Sequence, residues 1–191
     1  MALEEGHQVA AVFAPGPRDR KPDRLSEAAR AAGVRAHAHL RPELVPPGTG
    51  LIVCAHAHDF VSAEARARAR LGAIGYHPSL LPLHRGKDAI RWAIRMREPV
   101  TGGTVYRLSD GVDAGPVIAQ EFCFIRPGDT AAALWRRDLF PMGVRLLRSA
   151  LQALERGEAV LTPQDETIAT WEPCFDRESL ASAALRVGQG A

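Results

Sequence analysis

Two short stretches of this chain carry the residue types that carbonyl chemistry needs. Tyr76-His77-Pro78-Ser79-Leu80-Leu81-Pro82 sets a histidine at the end of an apolar run, between residues that stiffen the chain on its far side. Asp110-Gly111-Val112-Asp113-Ala114-Gly115 sets carboxylates in a glycine-flanked loop. An imidazole and a carboxylate can act as a polarising group and a base at one carbonyl carbon, provided the fold brings them together. Taken singly, each has a plainer explanation: a histidine before proline can end a strand, and an aspartate beside glycine can make a turn.

The elements that must position them read as alternating strands and helices. His7–Phe13, Val34–His39 and Gly50–Ala55 read as strands, the last almost continuously apolar, as in a parallel strand covered on both faces. Pro15-Gly16-Pro17 marks a turn, and a helix follows from Pro22 to Gly33. Ser62 begins a second helix that runs to about Arg70, and Gly72–Tyr76 is the strand that delivers His77. Asp88 is expected to cap a helix over Ala89–Met96. Strands at Gly103–Leu108 and Val117–Ile125 bracket the Asp113 loop. Asp129-Thr130 opens a long helix to about Gly157, with Leu134, Leu139, Met142, Leu146, Leu147 and Leu151 on its buried face. Such alternation implies an open, mostly parallel α/β sheet of Rossmann type, in which ligands bind beyond the carboxyl ends of the strands.

Composition excludes several classes. With 24 Lys+Arg against 22 Asp+Glu the net charge is +2, so no global field draws nucleic acid or an anionic membrane. The run Arg66–Arg70 and the pair Arg136-Arg137 read as solvated helix faces. No stretch approaches the roughly 20 apolar residues of a membrane span, and the acidic start Leu3-Glu4-Glu5-Gly6 is not an export signal. Cys54, Cys123 and Cys174 lack metal-type pair spacing and read as free thiols in a reducing, cytoplasmic setting. One domain over 1–191 is expected, with a core at about 4–163 and a C-terminal tail at about 164–191 that is weakly patterned after Trp171. Cys54-Ala55-His56-Ala57-His58 would alternate onto one side of a strand, yet catalytic zinc needs three placed ligands with supporting partners, and no metal is assigned.

The two motifs, with Gly102-Gly103 and Leu139-Phe140-Pro141 followed by Gly143, resemble the catalytic domain of the folate-dependent formyltransferases. The methionyl-tRNA and glycinamide ribonucleotide formyltransferases belong to that family, and the likeness is strongest to the hydrolase domain of its 10-formyltetrahydrofolate dehydrogenases. The resemblance covers about Glu4 to Pro163 and implies 10-formyltetrahydrofolate as the formyl donor. It makes His77 and Asp113 the catalytic pair, with His77 as donor to the developing oxyanion and Asp113 raising the imidazole pKa. Asp59-Phe60-Val61 corresponds to a folate-lining loop bordered by His58, while Ser79, Arg85 and Gly115 support the site. Arg85 either holds its loop or meets an anionic substrate. Gly102-Gly103 allow close backbone packing.

Two departures stand out. Gly75 occupies the place where the transferases carry an asparagine, so water or Tyr76 must replace that amide, or the reaction differs; this tilts the expectation toward formate release. The chain also enters at what resembles the end of the family's first helix, as though the first strand were missing. The resemblance implies a folate and a second small partner, an amine or water. Less favoured are a methionyl-tRNA formyltransferase without its C-terminal RNA domain and an inactive folate-binding remnant. No membrane partner is expected, and no oligomeric assembly is assigned.

Overall fold

The computed structural model describes residues 6–14, 23–55 and 59–175. The Pro15-Gly16-Pro17 turn, His56, His58, Leu3–Glu5 and the tail beyond 175 lie outside them. In chain order the elements are β1 (Val12–Phe13), α1 (Arg24–Ala31), β2 (Ala36–His37), β3 (Ile52–Ala55), α2 (Ala63–Ala67), β4 (Ala73–His77), α3 (Ala89–Arg95), β5 (Val100–Arg107), β6 (Val117–Phe124), α4 (Ala131–Leu134) and α5 (Phe140–Glu155).

Local chemistry explains most boundaries. Asp23 accepts from the amides of Leu25 and Ser26 at 2.9 and 3.2 Å and so caps α1; Ser62 caps α2 through the Ala65 amide at 3.2 Å. Gly33, at φ +69°, closes α1 in the left-handed turn that glycine adopts without cost. Asp88 behaves otherwise. It precedes α3 at φ 65° and makes no capping bond, because its carboxylate turns to Arg91, to the thiol of Cys174 and to the Phe175 amide.

β1 and β2 pair in parallel across α1, and both are shorter than the sequence pattern suggested. The larger sheet runs β3-β4-β5-β6. β3 and β4 are parallel across α2, whereas β4–β5 and β5–β6 are antiparallel. The segment 108–116 that joins β5 to β6 is too short for the crossover that a parallel pair requires, so the half of the sheet bearing Asp113 is a hairpin. The architecture is the expected open α/β sheet.

α4 and α5 form one continuous helical rod interrupted by a π turn at Trp135–Leu139. Pro141 brings no N–H to the ladder, and the wider turn just before it lets the Phe140 amide reach the Trp135 carbonyl. The rod buries Leu134, Leu139, Met142, Leu146, Leu147 and Ala150 against Ile74 and Val105 of the sheet, with Leu151 at the margin. Beside the π turn, the Tyr76 hydroxyl donates to the Leu139 carbonyl at 2.6 Å. Gly103 and Gly143 flank the Tyr76 ring so closely that a Cβ on either would collide with it. The strand that presents His77 is thus latched to the helix behind it, and Tyr76 is turned away from the site.

Candidate active site

His77 ends β4, 6% exposed, and the chain then folds back over itself. Ser79 closes that loop by donating to the Leu83 carbonyl at 2.6 Å, and Thr104 of β5 donates to the Ser79 carbonyl at 2.7 Å. Gln120 of β6 reaches the same loop through the Leu81 carbonyl at 2.9 Å. Ser79 is fully buried, so it supports the loop and does not face a ligand. The turn brings the His84 carbonyl 2.7 Å from His77 Nε2. A carbonyl oxygen can only accept, so Nε2 carries the ring proton and Nδ1 presents a lone pair. Nδ1 lies 3.5 Å from Asp113 Oδ2.

Asp113 comes from the β5–β6 loop at φ 52°. Its Oδ2 accepts from the Gly86 amide at 2.7 Å and its Oδ1 from the Tyr106 hydroxyl at 2.5 Å. The two motifs therefore converge, and the Gly86 amide joins the histidine's loop to the aspartate. Asp110, the other carboxylate of the loop, is exposed and paired with Arg66. The electrostatics differ from expectation in one respect. Burial pushes the His77 pKa below its ordinary value, outweighing the opposing pull of Asp113 and of the His84 carbonyl. The ring is then neutral at neutral pH. As an oxyanion donor, as first expected, it would need a proton on Nδ1; as found, Nδ1 is poised to accept one.

That lowering has a consequence for stability. The unfolded chain protonates His77 at the ordinary value of 6.5, the folded chain only below it, so stability falls as pH drops through 6.5 and levels off beneath the folded value. Urea midpoints measured from pH 8 to pH 4.5 should show this loss, and His77→Gln should remove that component of it.

A third contributor is the segment after Pro163, expected only as the start of a C-terminal tail. Gln164 donates through Nε2 to the Asp113 carbonyl at 2.8 Å and to the Gly115 carbonyl at 2.7 Å, while its Oε1 accepts from Arg85. Arg85, 8% exposed, also holds Glu166 in a two-pronged pair at 2.8 and 2.7 Å. Its guanidinium is therefore engaged by this strap and not by open solvent, which settles neither of the two expected uses as stated: it holds side chains of a distant segment. The Thr170 hydroxyl accepts from the His84 amide at 2.8 Å, and the His84 ring sits between Glu98, at 2.8 Å, and Glu172, at 2.9 Å and misaligned for a hydrogen bond. Trp171 covers Gly86. No periodicity marks these residues in the sequence. Gln164→Leu removes two donors from the carbonyls of the Asp113 loop; a loss of about 2 kcal/mol in urea unfolding is expected.

The Asp59–Val61 segment is placed less directly. Asp59 accepts from the Leu40 amide at 3.1 Å and faces His39 at 3.4 Å; Phe60 is exposed; Val61 is buried with Ala65 and Ala73. Only Phe60 of the three presents an open apolar side chain. The link to the site runs through Arg66, which donates to the Val61 carbonyl at 2.7 Å and pairs with Asp110. Arg66 is thus a clip between two loops and not simply part of a solvated face. Arg137 likewise binds Asp129 and Asp138. Burial pushes the Cys54 thiol up to about 11, and among the described residues no three His, Cys, Asp or Glu side chains are grouped for a metal.

Set beside known proteins, residues 16–148 match the model of the formyl transferase family. Mouse mitochondrial 10-formyltetrahydrofolate dehydrogenase is 36% identical over 93% of this chain and 20% of that protein. Methionyl-tRNA formyltransferase of Anaeromyxobacter dehalogenans is 34% identical over 91% of this chain and 59% of that protein. The chain spans about a fifth of the length of the dehydrogenases it matches. Among solved structures, glycinamide ribonucleotide transformylase 1 from Symbiobacterium toebii superimposes with a TM-score of 0.70 at 29% identity, covering 86% of this chain and 85% of that one.

Proposed function

The chain belongs to the formyl transferase family, and from that premise we propose that it is an enzyme taking the formyl group of 10-formyltetrahydrofolate and passing it to a small amine or to water. The observation that carries the reading is the 3.5 Å approach of His77 Nδ1 to Asp113 Oδ2 with Nε2 fixed on a carbonyl. As the nucleophile attacks the formyl carbon, its proton passes to the Nδ1 lone pair. The imidazolium is stabilised by the adjacent carboxylate. Nδ1–H then donates toward the oxygen that gains charge, and as the bond from the formyl carbon to N10 breaks, the proton passes to N10. Tetrahydrofolate leaves with formate or a formylated amine. Proton transfer by a placed side chain supplies roughly 100- to 10,000-fold, and water is favoured as acceptor because Gly75 places no carboxamide beside the formyl oxygen.

The folate is held, in this reading, between the His77 loop and the Asp59–Val61 segment, with Phe60 as its exposed apolar surface. Three free cysteines support a reducing, cytoplasmic setting. No described helix is long and apolar enough to cross a membrane. Transfer to tRNA is the second reading, supported by the methionyl-tRNA formyltransferase relative.

The test is direct. Purified protein is mixed with 10-formyltetrahydrofolate alone, with small amines and with initiator methionyl-tRNA, while tetrahydrofolate and formate are followed. Formate released at the same rate without any amine is the expected result. Formylated tRNA without formate would favour the second reading, and tight folate binding without turnover would mark an inactive remnant.

A further inference from the structure

We propose that Tyr106 is a positioning residue of this site, seated in space that Gly75 leaves open and holding Asp113 so that Oδ2 stays turned toward His77. The inference rests on the formyl-transfer reading for its kinetic arm only. Gly75 of β4 and Tyr106 of β5 are partners across the antiparallel ladder. A Cβ at position 75 would lie 3.1 Å from both Cε1 and Cζ of the Tyr106 ring and 3.0 Å from Leu108 Cδ2, closer than side-chain carbons normally rest. The ring thus occupies what a larger residue at 75 would claim. From there its hydroxyl, on a side chain 5% exposed, meets Asp113 Oδ1 at 2.5 Å.

Two hydrogen bonds then fix the carboxyl group, Tyr106 on Oδ1 and the Gly86 amide on Oδ2, the oxygen that faces His77 Nδ1. Removing the first leaves the group free to rotate about its bond to Cβ, since the remaining hydrogen bond, from the Gly86 amide, falls on one oxygen. Burial and the neighbouring Asp113 charge push the Tyr106 pKa up, so the phenol stays a donor throughout the neutral range. A phenol has one proton, and this one is committed to Asp113; it is not available to a substrate oxygen. Tyr106 therefore acts through Asp113 and not on the reacting carbon. It also answers what replaces the amide missing at 75: nothing donates in its stead from Tyr76, whose hydroxyl serves the Leu139 carbonyl, and the vacated volume is used to orient the acid instead.

Tyr106→Phe deletes one oxygen atom and keeps the ring, so the fold should survive, as an unchanged melting temperature within a few degrees would verify. The expected result is a kcat lowered about 10-fold or more with KM for 10-formyltetrahydrofolate within about twofold, since a small misplacement of an acid–base group costs turnover before binding. Independently of any reaction, the His77 imidazole followed by 1H–15N NMR should titrate at a lower pH in Tyr106→Phe than in the parent, because the released carboxylate no longer stays beside Nδ1. Gly75→Val should reproduce the kcat loss by displacing the ring, and the double variant should be no worse than Gly75→Val alone. Parent-like kcat and His77 titration in Tyr106→Phe, or additive losses in the double variant, would overturn the proposal. Absence of turnover in the parent would overturn the formyl-transfer reading instead, and the titration would then decide Tyr106 alone.

Discussion

Replacing His77 by alanine is expected to cut formate release by about 100-fold or more, which corresponds to roughly 2.7 kcal/mol of transition-state stabilisation. The size follows from geometry. Nδ1 is the one imidazole nitrogen left without a proton, and Asp113, its neighbour, has both oxygens occupied by Tyr106 and Gly86. Alanine also strips the His84 carbonyl of its donor, a cost of about 1–3 kcal/mol for a buried acceptor, so lost activity must be separated from lost folding. His77→Gln does this: its amide can still donate toward the carbonyl but cannot take up the proton. Both variants should lose activity alike, while glutamine keeps more of the melting temperature. A His77→Gln enzyme with parental kcat would remove the imidazole from the mechanism.

The largest expected effect on stability belongs to Gly115. A Cβ there would be driven into the carbonyl oxygen of Arg107, a backbone atom that cannot swing aside. Arg107 and Pro116 close the base of the hairpin through a 2.9 Å bond, and the Gly115 carbonyl accepts from Gln164. Gly115→Ala should therefore cost about 3 kcal/mol or more, a fall in melting temperature on the order of 10 °C, and it should cost activity by displacing Asp113. Gly157→Ala is the comparison. Gly157 sits at φ +70° with nothing within 4 Å of a Cβ, so only the left-handed backbone is penalised, by about 1–2 kcal/mol. Calorimetry of the two variants side by side distinguishes close approach from backbone strain; equal shifts would show that the loop yields where the geometry says it cannot.

What the sequence disclosed follows from how local each cause is. β4, β5, β6 and the buried face of the long helix were legible because apolar periodicity and capping residues act within a few positions. The encounter of His77 with Asp113 was legible only through motif resemblance; spacing alone did not require it. The π turn carried a clue in Pro141, since a proline inside a helical pattern disturbs the ladder before it. Asp88 was misread because its partners, Cys174 and Phe175, arrive from the far end of the chain. The same reason hid Gln164 and Glu166, whose bonds to Asp113, Gly115 and Arg85 join residues that no window along the sequence contains together. The direction of the His77 shift was misjudged because the sequence showed the carboxylate but not the depth of burial.

Residues 164–172 tie down the Arg85 and Asp113 loops together through Gln164, Glu166 and Thr170. During synthesis these residues leave the ribosome after every strand and helix described above. A growing chain can lay down its sheet and helices early, but the acid–base pair is secured only once this later stretch has emerged and docked, which places the onset of competence after the exit of every described strand and helix.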